Sequence, residues 1–121
     1  MLLLLNFLSL FLFYIKVESQ NVKKLSPDPT YVTLGDRLVL NVTYDFTGLV
    51  GVLWRNSSGT SLYLREISGA VINPDKRASL EGQATLILKN TALYDNGTYT
   101  VTVTTISTSE IKTFDVIIQG K

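Results

Sequence analysis

The run Asp95-Asn96-Gly97-Thr98-Tyr99 carries a turn directly into a strand, in a chain that has one tryptophan and no cysteine. No other segment narrows the possible folds as much. From residue 97 to 105, Tyr99, Val101 and Val103 alternate with Thr98, Thr100, Thr102 and Thr104, which is the period of a strand buried on one face. The same period places Leu38, Leu40 and Val42 on one side of a strand over 37–44. It also turns Val50, Val52 and Trp54 inward and Leu53 and Arg55 outward over 50–55. Further strands are expected at 30–34, 61–67 and 77–80, around Leu86 and Leu88, and at 111–118 with Phe114, Val116 and Ile118 inward. A short edge strand is expected within 68–74. Turn residues at 56–59 and a loop at 106–110 separate these segments. Threonine and β-branched residues favour such pleated, half-buried surfaces, and no helical period appears beyond the N-terminal segment.

This set of residues resembles a variable-type immunoglobulin domain. There, an aspartate-glycine-tyrosine corner opens strand F, the tyrosine hydroxyl bonds back to the backbone, and a strand-C tryptophan packs on the inter-sheet disulfide. Asp95, Gly97, Tyr99 and Trp54 stand in those places, and the resemblance assigns the two cysteine positions to Val42 and Val101. It also places Arg77 where a strand-D arginine pairs with the corner aspartate, Asp95. The implied fold is all-β, an immunoglobulin V-type two-sheet Greek-key sandwich without the inter-sheet disulfide. Such a bridge between positions 42 and 101 would contribute roughly 4 kcal/mol. Burying two valines contributes ~1.5–3 kcal/mol each, so the sandwich can stand without it.

The stretches 84–90 and 94–103 resemble, more specifically, the N-terminal domains of the carcinoembryonic-antigen-related cell adhesion molecules. They are similar, less closely, to the cysteine-free first domains of the signalling lymphocytic activation family. The resemblance implies protein recognition, homophilic or heterophilic, of another immunoglobulin-superfamily domain through the face built by strands G, F, C and C′. The candidate residues on that face are Leu53, Arg55, Tyr63, Thr100, Thr102, Thr104 and Ile106.

Residues 1–19 read as a secretory leader. The segment from Leu2 to Ile15 is apolar apart from Asn6 and Ser9, and Val17 and Ser19 provide a small-residue cleavage pattern before Gln20. A membrane anchor needs about 20 apolar residues, and this run is shorter. The expected organisation is a leader at 1–19, a lead-in at 20–29, the immunoglobulin V-like domain at 30–118 and a tail at 119–121. After leader cleavage no transmembrane span of the chain's own is expected. The product is placed outside the cell, secreted or at the cell surface. Sequons at Asn41, Asn56 and Asn96 then become candidate glycosylation sites, with Asn56, in a turn, the foremost.

Composition removes other classes. With no histidine and no cysteine, the commonest general base, the thiol nucleophile and most transition-metal ligands are missing. The carboxylates are scattered, so no catalytic residue, cofactor or metal site is assigned. A formal net charge of +1 gives no electrostatic case for nucleic acid. The expected function is therefore recognition of a protein. The alternative is a secreted decoy or modulator of an immunoglobulin-family receptor, with an enzyme the least supported class.

Overall fold

The computed structural model describes residues 21–120. The expected leader at 1–19 and the last residue of the expected tail lie outside them. The strands run β1 (Val22–Lys24), β2 (Thr30–Thr33), β3 (Leu38–Leu40), β4 (Val42–Tyr44), β5 (Gly51–Arg55), β6 (Ser61–Arg65), β7 (Val71–Ile72), β8 (Ala78–Glu81), β9 (Thr85–Leu88), β10 (Gly97–Thr104) and β11 (Ser109–Gln119). A 3-10 turn, Leu93–Asp95, precedes β10.

A six-stranded sheet in the order β2-β11-β10-β5-β6-β7 faces a three-stranded sheet in the order β3-β9-β8, with a two-stranded β1-β4 ribbon beside it. The β2–β11 pairing is parallel and the other pairings of this sheet are antiparallel. Leu38, Leu40, Leu86 and Leu88 from the smaller sheet meet Trp54, Tyr99, Val101, Val103, Phe114 and Val116 from the larger one in one core. Val42 and Val101 are both fully buried in that core. The Trp54 and Phe114 rings lie 5.5 Å apart, within the range of attractive aromatic contacts. The Trp54 Nε1 donates to the Ala84 carbonyl at 2.9 Å, so the buried indole leaves no donor unsatisfied.

Several boundaries differ from expectation. The strand expected over 37–44 is divided at Asn41, because pairing passes from β9 on one side to β1 on the other. At the break, the Asn41 N–H donates to Ser26 Oγ at 2.8 Å and the Val42 N–H to Thr85 Oγ1 at 3.3 Å. Side chains there replace ladder partners. The lead-in is also more than an approach: β1 lies within it, and Val22 is buried in the core. Strand β6 stops at Arg65 because a turn closed by Glu66 N–H to the Ala70 carbonyl follows. The last strand begins at Ser109, which puts Glu110 in a ladder position and reduces the expected 106–110 loop to a turn. Thr105 closes that turn, its N–H donating to the Thr108 carbonyl at 2.8 Å.

Candidate functional site

The outward surface of the six-stranded sheet is defined by cross-strand register. Thr102 pairs with Ile111 on β11 and with Leu53 on β5, Leu53 pairs with Leu64 on β6, and Leu64 pairs with Ile72 on β7. Directly paired residues share a face, so Ile111, Thr102, Leu53, Leu64 and Ile72 form one row across five strands. The row lies opposite the core: Thr102 stands between the inward Val101 and Val103 and Leu53 between the inward Val52 and Trp54, while Ile72 joins the row through its register with Leu64. Its ends are open, with Ile111 61% and Ile72 50% exposed. A shallow depression of about 440 Å³ lies at its centre, lined by Leu53, Leu64, Ile67, Thr102 and Thr104. Gly51 floors it: a Cβ there would stand 3.2 Å from the Arg65 carbonyl oxygen and 3.3 Å from Ile67 Cγ1.

The expected face residues divide. Leu53, Thr100, Thr102 and Thr104 are half-buried at outward positions, and Arg55, paired with Thr100, is exposed. Ile106 is 89% exposed but sits at the tip of the β10–β11 turn, at one end of the sheet. There it borders a separate cleft with Phe46 and Leu49. Tyr63 is corrected. It pairs with Trp54, and its side chain packs against the core. The cause is a bulge: Trp54 pairs with Tyr63 while Arg55 pairs with Ser61, which leaves Leu62 as the extra residue. Leu64 takes the outward place instead. Ile111 was open to discovery, since alternation from Phe114 turns it outward. Ile72 was not, because only the register with Leu64 puts it in the row.

The corner beneath the face is built around Arg77. Its Nη1 donates to Asp95 Oδ2 at 2.8 Å and its Nη2 to Asp95 Oδ1 at 3.0 Å, while Nε and Nη2 also bond Asp75. Asp95 Oδ2 further accepts the Ala92 N–H at 2.7 Å, and the Tyr99 hydroxyl donates to the Asp95 carbonyl at 2.6 Å. Burial raises the Tyr99 phenol above its ordinary range, which keeps it protonated as that donor. The Arg77 hydrogen bonds hold the Asp75 carboxyl below the usual carboxylate range. A depressed folded-state value contributes stability above about pH 4 that is lost as pH falls through it. Acid titration of thermal unfolding should therefore show a loss below about pH 4 that Asp75→Asn reduces; an unchanged acid limb would refute the assignment.

Gly97 has φ 138°, a region that side-chain-bearing residues rarely adopt. A Cβ there would also overlap Ser57 Oγ. The glycine thus lets the β5–β6 turn lie against the start of β10. Of the sequon asparagines, Asn41 and Asn96 are exposed and Asn56 is half-buried in that turn. Asn41 Oδ1 meets Thr85 Oγ1 at 3.5 Å, and Asn96 Oδ1 accepts the Ile118 N–H at 2.9 Å. Asn56 Oδ1 accepts from Ser58 N–H, Ser58 Oγ and Thr60 N–H. Among the described residues no helix is long and apolar enough to cross a membrane.

No protein-family model matches the sequence, and a search of curated proteins returns no match. Solved structures do match in shape. The Ig1 domain of mouse SynCAM 2 superposes with a TM-score of 0.66 at 18% identity, over 84% of this chain and 98% of that one. The human B7-H4 IgV-like domain gives 0.63 at 19% identity, over 83% and 96%. Tim-4, solved in complex with phosphatidylserine, gives 0.67 at 16% identity, over 78% and 100%. At these identities the likeness is one of fold: the chain is an all-β sandwich with its sheets packed as in immunoglobulin V domains.

Proposed function

We propose that this chain is an extracellular recognition domain, with no catalytic role, that binds another protein through the outward face of β11, β10, β5 and β6. The supporting observation is the continuous row Ile111, Thr102, Leu53, Leu64 and Ile72 around an open depression, apolar surface that is buried neither in the core nor between the sheets. Exposed apolar surface of this kind, rimmed by polar residues, marks interaction sites. Arg55 and the threonines of β10 form such a rim, and arginine is enriched among residues that dominate binding energy. The resemblance to adhesion-type domains supports a second immunoglobulin domain as the partner, of its own kind or another. The organisation that goes with this reading is a cleaved leader at 1–19, a domain whose core already includes Val22, and glycans at sequons among Asn41, Asn56 and Asn96.

The test is binding by the purified domain, displayed as a multimer, to an array of immunoglobulin-domain ectodomains that includes the chain itself. Leu53→Asp and Leu64→Asp should weaken any captured interaction about thirtyfold or more, the scale of a lost hot spot. Arg55→Ala should weaken it less. Glu81→Ala and Ser79→Ala, on the opposite sheet, should leave it intact with all melting temperatures within a few degrees. Equal losses from both sheets, or none from Leu53→Asp, would remove the face from consideration.

A further inference from the structure

The β5–β6 turn and the 3-10 turn before β10 bring Asn56 and Tyr94 together at one end of the sandwich. Both residues line a cleft of about 410 Å³ with Pro74, Lys76 and Arg77, and both line a smaller one of about 120 Å³ with Ser57 and Ser58. Tyr94 is 79% exposed. One face of the ring is occupied, since the Arg77 guanidinium carbon lies 5.6 Å from its centroid. The guanidinium is itself tied to Asp75 and Asp95, so the ring is held against a fixed group.

The Asn56 side chain is equally well held. Its Oδ1 takes hydrogen bonds from Ser58 N–H at 3.1 Å, Ser58 Oγ at 2.9 Å and Thr60 N–H at 3.0 Å. The Nδ2 donates to no group among the described residues. Asn56-Ser57-Ser58 is a sequon, the tripeptide modified in secreted chains.

We infer that Asn56 carries an N-linked glycan whose first N-acetylglucosamine lies on the free face of Tyr94, so that the sugar covers the exposed ring and fastens the β5–β6 turn to the corner. The inference rests on the extracellular reading above. In the modification, Asn56 Nδ2 forms a bond to C1 of a sugar delivered as a lipid-linked oligosaccharide diphosphate; the C1–O bond to the diphosphate breaks, and the Nδ2 proton leaves with it. A pyranose ring presents a face of C–H groups, and the negative π-face of a phenol ring attracts their positive ends. Such contact removes apolar ring surface from water without requiring the asparagine to leave its turn. Asn96 is the competing acceptor, but it borders neither cleft.

The experiment is a double-mutant cycle on the full chain secreted from animal cells, with glycopeptide mass spectrometry and melting temperature as readouts. Ser58→Ala removes the Asn56 sequon while keeping the asparagine, Tyr94→Ala removes the ring, and Thr98→Ala removes the Asn96 sequon. Each is also made in unglycosylated form to subtract the loss of the Ser58 hydroxyl. Asn56 should be occupied. Ser58→Ala should lower the melting temperature by about 3–5 °C beyond the unglycosylated control when Tyr94 is present. The excess should vanish in the Tyr94→Ala background. An empty Asn56, an excess that persists without Tyr94, or an excess that follows Thr98→Ala instead would each overturn the inference. A matched set carrying a heterologous leader separates the two readings. If only that set reaches the medium, the extracellular reading fails while the glycan test still reports.

Discussion

Asp95→Ala should lower the unfolding free energy of this domain by about 3 kcal/mol, the low end of the cost of breaking a buried ion pair, because Arg77 keeps its bonds to Asp75. The Asp95 side chain is only 6% exposed, whereas Arg77 is 24% exposed. Removing Asp95 deprives the guanidinium of the two bonds to that carboxylate at 2.8 and 3.0 Å and the Ala92 N–H of its bond at 2.7 Å. Asp95→Asn keeps an acceptor for Ala92 and should cost less. Arg77→Ala should cost at least as much as Asp95→Ala, because it leaves the Asp95 carboxylate, only 6% exposed, without a cationic partner. Combined with Asp95→Ala it should cost less than the sum of the single changes, since residues in one network are not additive. Chemical denaturation followed by circular dichroism measures all four. A loss below about 1 kcal/mol for Asp95→Ala, the scale of a surface ion pair, would show that the corner does not hold the sandwich closed.

Trp54→Ala is expected to be at least as severe, at about 3–5 kcal/mol. The indole is fully buried, lies 5.5 Å from the Phe114 ring and joins the two sheets through its bond to the Ala84 carbonyl of 2.9 Å. Trp54→Phe retains most of the volume but leaves that buried carbonyl without its donor, which costs about 1–3 kcal/mol. Because the chain has no cysteine, no covalent link between the sheets limits the damage. Total stability of a domain this size is about 5–15 kcal/mol, so the alanine variant should lose a large share of it and melt well below the wild type. Urea titration of the two variants should give midpoints in the order wild type, Phe, Ala. A Phe variant less stable than the Ala variant would contradict this account of the site.

What the sequence determined by itself is the set of inward positions on long, regular strands. Tyr99, Val101 and Val103 on β10, Val52 and Trp54 on β5, and Phe114, Val116 and Ile118 on β11 all follow from an alternation that is local to each strand. The fully buried Val42 and Val101 follow the same rule, while their place at the two cysteine positions came from the resemblance to a variable-type domain. What only the tertiary structure decided are the features that depend on which residues of distant strands stand opposite each other. A bulge opposite Arg55 turns Tyr63 to the core and Leu64 outward, because a shift of one residue moves a side chain to the other face. Pairing with β1 draws Val22 into the core and divides the strand at Asn41. The meeting of Asn56 with Tyr94 belongs to the same class. It joins turns far apart in sequence, where the absence of a side chain at Gly97 leaves room for Ser57, and periodicity within a segment carries no information about such an approach.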